Sequence, residues 1–108
     1  PENDHRNYNI NGNAFDVGET FSGVNFDKGL RAVERLKELL PSNFTLTDLA
    51  LKWILMHKEV TVVIPGAKNK NQVNNNVLAS EKEEISDIVN KINSIYNDMI
   101  KSDVNDRW

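Results

Sequence analysis

Apolar residues recur at three- and four-residue spacing in two stretches of the chain, which is the pattern of amphipathic helices. The first stretch predicts a helix over residues 27–40 that ends at Pro41, because proline cannot donate to the preceding turn. Its apolar stripe consists of Leu30, Val33, Leu36 and Leu40. The second stretch predicts a last helix that begins near Ser80 and Glu83, which have the spacing of a capping box. Its apolar stripe consists of Ile85, Ile88, Ile92, Ile95 and Met99.

A further helix is predicted between these two, beginning at Thr45. Asp48 follows three residues later, where its carboxylate can complete a shorter version of the capping box. The helix then carries apolar side chains on almost every side, namely Leu46, Leu49, Ala50, Leu51, Trp53, Ile54, Leu55 and Met56. A helix that is apolar nearly all round must be buried between layers, which is natural in the outer ring of a larger α/β domain.

Residues 60–64 form a continuous run, Val-Thr-Val-Val-Ile, which is typical of a parallel strand covered on both faces. The run stops at Pro65-Gly66, and Asn69 with Gln72 can cap a short helix that reaches about Leu78. Helix, strand and helix in this order form the repeating unit of an α/β barrel or a doubly wound sheet. Because the sequence shows no neighbouring strands, we predict that the isolated chain is mainly α with one short strand.

Residues 1–25 are polar and interrupted by Asn, Gly and Asp, which predicts a loop. Phe15, Phe21 and Phe26 are interpreted as anchors that hold this loop on a surface; the alternative is scattered aromatics in a flexible tail. A long segment without secondary structure counts against a complete compact domain. We therefore expect residues 1–108 to be a partial domain, with helices over 26–108 and the strand at 60–64.

Composition excludes several classes of function. The net charge is −3, and 13 Lys and Arg are interspersed with 16 Asp and Glu, which argues against nucleic-acid binding because such proteins carry a clustered basic face. The absence of cysteine excludes thiolate metal sites and fits a cytoplasmic location. No apolar run approaches the roughly 18 residues of a membrane span. The two histidines, His5 and His57, lack the spacing of a metal site and are interpreted as surface residues.

The segment from Pro65 to Asn76 is the best candidate for chemistry, because it leads from a strand into a helix start. The first turn of a helix has unpaired N–H donors and a partial positive charge, which suits phosphate groups. Gly66 and Ala67 allow close approach of a ligand, and Lys68 adds a positive charge. Three amides could hydrogen-bond a nucleobase or a ribose: Gln72, Asn75 and Asn76. The alternative is an ordinary strand-to-helix turn without a ligand.

Three segments together resemble the C-terminal third of an aldo-keto reductase: residues 21–30, residues 49–55, and residues 60–67 followed by Gln72 and Asn76. The ending Asp-Arg-Trp is also similar to the tail of that family. The sequence Ile-Pro-Gly-Ala at 64–67 resembles the bacterial branch of the family rather than the branch with Ile-Pro-Lys-Ser. The resemblance implies a (β/α)8 TIM barrel that binds a nicotinamide cofactor, usually NADPH, with NAD possible and no metal.

The resemblance also implies which residues surround the adenosine phosphate and adenine of the cofactor: Gly66, Ala67, Lys68, Gln72, Asn75 and Asn76. Two positions depart from the family pattern. Gln72 stands where many relatives have an arginine against the 2′-phosphate, and Asn75 stands where they often have glutamate. Lys68 then remains as the cation for the 2′-phosphate, so the resemblance leaves the choice between NADPH and NADH open.

No stretch of the chain matches the catalytic aspartate, tyrosine, lysine and histidine of the family, which lie on earlier strands. The expected function is therefore that of a C-terminal fragment of an NAD(P)H-dependent carbonyl reductase, carrying part of the cofactor site and no catalytic residue. Its expected partners are the cofactor and a small carbonyl substrate in the parent enzyme, and other copies of itself in isolation. The alternative is a free-standing helical module that binds proteins through its apolar faces.

Overall fold

The computed structural model describes residues 23–107, which form five α-helices and a final turn of 3₁₀ helix. The elements are α1 (Phe26–Glu38), α2 (Leu46–Leu55), α3 (Lys70–Glu81), α4 (Val89–Met99), α5 (Lys101–Val104) and the 3₁₀ turn (Asn105–Arg107). None of the helices in this described range combines the length and the apolarity that crossing a bilayer requires. The predicted loop before residue 23, with its anchors Phe15 and Phe21, lies outside the described residues, as does Trp108.

The described residues divide into two compact units. The first is formed by residues 36–92, and the second by the described residues before 36 and after 92. In the second of these, α1 and α5 are joined by an ion pair, with 2.6 Å between Lys28 Nζ and Asp103 Oδ1. The hydrogen bond from Lys28 holds the pKa of Asp103 below its usual value. The backbone N–H of Lys28 donates to Asn25 Oδ1 at 3.1 Å, which satisfies one of the unpaired donors at the start of α1.

Helix α2 begins as predicted. Thr45 is its N-cap, the N–H of Asp48 donates to Thr45 Oγ1 at 3.1 Å, and the N–H of Thr45 donates to Asp48 Oδ2 at 2.8 Å. These two bonds are the reciprocal pair of a capping box. The apolar positions behind the cap bury Leu49 and Leu51, whereas Ala50 is exposed.

The apolar core of residues 36–92 is built around Leu49, Ile85 and Ile88. Ile85 has 1% of its surface exposed and is the largest fully buried side chain of the described residues. Partly buried apolar residues pack against this core, namely Leu39, Leu40, Phe44, Trp53, Met56 and Ile92. Ile85 and Ile88 of the predicted stripe belong to this core but precede the last helix, and Ile95, which lies on that helix, is buried within the other unit.

The predicted start of the last helix at Ser80 and Glu83 is wrong. Ser80 lies inside α3, where its Oγ donates to the carbonyl oxygen of Val77 at 2.7 Å, and the last helix begins only at Val89. Helix α3 thus continues beyond the predicted end near Leu78, with the fully buried Ala79 in its last turn. Ala79 is buried only if α3 continues to this point, and this tertiary contact outweighs the local capping pattern of Ser80 and Glu83.

The predicted strand at 60–64 is also wrong, because no strand occurs within residues 23–107. Val60 donates to the carbonyl oxygen of His57 at 2.9 Å, and the residues that follow have no regular structure. Val62 and Ile64 remain 67% and 89% exposed. A strand is defined by pairing with a neighbour, and the described part of the chain offers this segment none. The fold class is therefore mainly α, without the short strand.

Candidate functional site

The segment between Ile64 and α3 is held together by side chains that bond to nearby backbone. Asn69 is the N-cap of α3, and its Oδ1 accepts from the N–H of Gln72 at 2.9 Å. Gln72 Oε1 in turn accepts from the N–H of Lys68 at 2.6 Å. One turn later, Asn76 Nδ2 donates over a longer distance of 3.4 Å to the carbonyl oxygen of Gly66. Four of the six predicted site residues are thus directly bonded to one another in pairs.

These backbone partners decide which way the two amides point. A backbone N–H can only donate, so Gln72 must present its oxygen to Lys68, and its NH₂ group is what remains for a ligand. A carbonyl oxygen can only accept, so Asn76 must present its NH₂ group to Gly66 and retains its oxygen as an acceptor. The site therefore offers a donor at Gln72 and an acceptor at Asn76.

A cleft of about 410 Å³ lies between the start of α2 and the outer face of α3. This volume is in the range of small-molecule sites, which is roughly 300–1,000 Å³. Three of the predicted site residues line the cleft, together with residues that the sequence did not indicate. The full lining is Asn43, Thr45, Thr47, Asp48, Gln72, Asn75, Asn76, Leu78 and Lys82. We call it the α2–α3 cleft.

The carboxylate of Asp48 is the anion of the α2–α3 cleft, and Lys82 balances it, with 3.6 Å between Nζ and Oδ2. Burial alone would raise the pKa of Asp48, but hydrogen bonds from the N–H and the hydroxyl of Thr45, together with the Lys82 ammonium, outweigh it and hold the pKa below its usual value. Lys82 also donates to the carbonyl oxygen of Asn43 and lies 5.1 Å from the ring centre of Phe44. Its charge is therefore committed to the protein.

Gly66, Ala67 and Lys68 do not line the cleft, and all three are exposed. A Cβ added to Gly66 would meet nothing within 4 Å, so packing within the described residues does not require glycine there. The Lys68 ammonium has no ion-pair partner within residues 23–107. Within the described residues, this side of the turn is therefore exposed.

Helix α3 is anchored at its far end by a buried lysine of α2. Lys52 Nζ donates to the carbonyl oxygen of Ser80 at 3.1 Å and lies 3.3 Å from Glu84 Oε1. The carbonyl groups of the last turn of a helix lack intrahelical partners, so a lysine there satisfies them and complements the helix dipole. Lys52 and the Asn69 cap together hold both ends of the helix that carries Gln72, Asn75 and Asn76.

His57 lies just beyond the end of α2, with its Nδ1 at 2.8 Å from the carbonyl oxygen of Trp53 and the two rings 4.4 Å apart. This exposed position agrees with the surface role predicted from the sequence. Among residues 23–107, no three His, Cys, Asp or Glu side chains come together in a way that could hold a metal ion.

Sequence reasoning missed the side of the cleft that α2 supplies. The sequence pattern assigns Thr45 and Asp48 only to a helix start and gives Lys82 no role. The available signal was the capping box itself, since it predicts a polar helix end. Nothing in the sequence placed that end opposite α3.

Comparison with family models gives a match to the aldo/keto reductase family over residues 1–97. The match spans most of the chain, and the chain belongs to the aldo/keto reductase family. Comparison with curated proteins and with solved structures found no match. The family has a TIM-barrel architecture and generally uses a nicotinamide cofactor to reduce carbonyl compounds, so these helices derive from such a barrel.

Proposed function

We propose that this chain is the C-terminal portion of an NAD(P)H-dependent aldo-keto reductase and that residues 66–76 bind the adenosine end of the cofactor. The proposal covers the full predicted set: Gly66, Ala67, Lys68, Gln72, Asn75 and Asn76. When bound, the cofactor supplies the hydride for reduction of a carbonyl to an alcohol. The groups that act on the carbonyl belong to polypeptide outside these 108 residues, because no segment here has the catalytic pattern of the family.

The observation that carries the proposal is the arrangement of amides along the outer face of α3. Gln72, Asn75 and Asn76 line one cleft, and backbone bonds orient Gln72 as a donor and Asn76 as an acceptor. An adenine ring carries ring-nitrogen acceptors beside its amino donor, and paired amide groups suit such an edge. Leu78 adds an apolar surface to the same cleft.

The charges of the cleft also fit a nucleoside better than a phosphate. Asp48 and Lys82 neutralise each other inside the cleft, whereas Lys68 stands exposed on the open side of the turn. We therefore place the adenosine against the cleft and its phosphates toward Lys68. In this arrangement Lys52 and Asn69 position α3 without touching the ligand.

The complete domain would be a barrel to which residues 1–108 contribute the last units. Val62 and Ile64 support this, since they are β-branched, exposed and without strand partners in the described part of the chain. In isolation, the same segment would associate with other copies, because unpaired extended backbone invites pairing.

The test is a titration of the 108-residue chain with NADPH, followed by the fluorescence of the reduced nicotinamide. We expect weak, saturable binding with a dissociation constant of about 0.1–10 mM, since one side of the site carries a binding energy of only about 3–5 kcal/mol. Asn76→Ala should weaken binding about fivefold, which corresponds to one hydrogen bond.

Asn90→Ala is the matched control, because Asn90 is an exposed asparagine of α4 outside the cleft. Equal affinity of the two variants would contradict the assignment of the site. Oxidation of NADPH with a carbonyl substrate by the chain alone would contradict the assignment of the reactive groups to other polypeptide.

A further inference from the structure

We propose that residues 101–107 form a releasable clasp on the start of α1, so that the first turn of α1 loosens whenever α5 undocks. The inference goes beyond the proposed cofactor function and does not depend on it. It is carried by the contacts of Asp103 and by the weakness of α5 as an isolated helix.

Asp103 contacts the start of α1, although it lies 75 residues from Lys28 along the chain. Its Oδ1 accepts from Lys28 Nζ at 2.6 Å. Hydrogen bonds from Lys28 and from the backbone of Asn25 lower the pKa of Asp103, so the carboxylate is charged at neutral pH. Asn25 itself accepts the N–H of Lys28 on Oδ1 at 3.1 Å and the N–H of Gly29 on its carbonyl oxygen at 2.9 Å. One carboxylate therefore holds both the capping residue of α1 and the lysine of its first turn.

Helix α5 has little stability of its own. It consists of four residues, whereas isolated helices shorter than about 12–15 residues are marginal in water. It begins after Ile100 without a side-chain cap, and the N–H of Asp103 donates back to the carbonyl oxygen of Ile100 at 3.0 Å. Contacts with the rest of the chain must therefore keep α5 in place.

Two neighbouring side chains anchor α5, one apolar and one charged. Val104 has only 7% of its surface exposed, whereas Ser102 and Asn105 on either side are exposed. Asp103 supplies the ion pair with Lys28, in which the two side chains remain 19% and 31% exposed. Water and salt reach this pair, so it is the weaker anchor and the one that opens first.

Release of α5 changes the start of α1 directly. When the Asp103 carboxylate leaves, the positive end of the α1 dipole loses a nearby negative charge, and Lys28 loses the partner that fixes its side chain. The first bonds of the helix to weaken are those that Asn25 accepts from Lys28 and Gly29. The state of residues 101–107 is thereby transmitted to the first turn of α1.

The test measures the exchange of the Lys28 and Gly29 backbone amides with water, by NMR on the ¹⁵N-labelled 108-residue chain at neutral pH. Asp103→Asn should speed the exchange of both amides by about two- to fivefold, since a partly exposed ion pair shifts a local equilibrium by about that factor. Asp106→Asn is the matched control, because it removes the same charge from an exposed position of the 3₁₀ turn and should leave both rates unchanged. Salt at about 1 M should speed the exchange in the wild type but not in Asp103→Asn.

Val104→Ala tests the coupling without altering the ion pair. It should speed the exchange of the Asp103 amide within α5 and, together with it, that of the Lys28 and Gly29 amides. The amide of Met56, which donates to the carbonyl oxygen of Lys52 at 3.0 Å in the other unit, should keep its wild-type rate.

Three outcomes would overturn the inference. Equal exchange rates in Asp103→Asn and Asp106→Asn would show that the Asp103 carboxylate does not hold α1. Faster exchange of the Asp103 amide alone in Val104→Ala would show that α5 and α1 open independently. Equal acceleration of the Met56 amide would show that α5 is released only when the whole fold opens, so that no separate clasp exists.

Discussion

Replacing Thr45 with alanine removes the cap of α2 and one partner of a buried carboxylate at the same time. Thr45 Oγ1 accepts from the N–H of Asp48 at 3.1 Å and donates to Asp48 Oδ2 at 2.9 Å. Loss of an N-cap costs about 1 kcal/mol, and loss of a hydrogen bond to a charged group adds a similar amount. We therefore expect Thr45→Ala to lower the free energy of unfolding by about 2 kcal/mol.

Thr47→Ala is the matched control, because Thr47 is an exposed threonine of the same helix turn without a capping bond. It should change the free energy of unfolding by less than about 0.5 kcal/mol. The assay is urea unfolding at pH 7, followed by the helical circular dichroism signal at a concentration where the chain is monomeric. Equal losses in the two variants would refute the structural role assigned to Thr45.

Three further predictions concern acid stability, the core and self-association. Folding lowers the pKa of Asp48, so the ionised carboxylate stabilises the folded state. This stabilisation is fully present above the unfolded pKa of about 3.9 and is lost as the pH falls through the pKa of the folded state. Asp48→Asn should therefore lower the free energy of unfolding at pH 7, measured in urea, and this free energy should fall less steeply below about pH 4 than in the wild type. An equally steep fall below pH 4 would show that Asp48 is not the group responsible. In the same assay, Ile85→Ala should lower the free energy of unfolding by about 2–5 kcal/mol. The control Val77→Ala, at an exposed position, should lower it by less than about 0.5 kcal/mol, and similar losses in the two variants would show that Ile85 is not in the core. Ile64→Lys should reduce self-association in size-exclusion chromatography with light scattering more than Leu30→Lys does, because Ile64 lies in the unpaired extended segment; equal effects would exclude that segment as the contact.

The elements that the sequence predicted well are those that depend on local contacts. The start of α2 follows from Thr45 and Asp48, which bond across one turn, and the start of α3 follows from Asn69 in the same way. Ile85, Ile88 and Ile95 are buried, as expected of apolar positions, although only Ile95 lies on the last helix. Such features need no knowledge of the rest of the fold.

The predictions that failed, and the part of the site that was missed, depend on distant contacts. Residues 60–64 have strong strand propensity, but a strand also needs a partner, and the described residues provide none. The Ser80 pattern was valid locally, yet α3 continued through it. The cleft required Asp48 and Lys82 to meet, and no spacing along the chain indicates that pair.

The positions of Asn75 and Asn76 relative to a bound adenine ring test the central claim most directly. Intermolecular nuclear Overhauser effects between the adenine protons of NADPH and the labelled 108-residue chain would measure that proximity. We predict cross-peaks to the side-chain amides of Asn75 and Asn76 and to Leu78, which share one cleft. The assignment would be contradicted if the adenine protons gave cross-peaks only to residues outside 66–82. It would also be contradicted if only the nicotinamide protons gave cross-peaks to the chain.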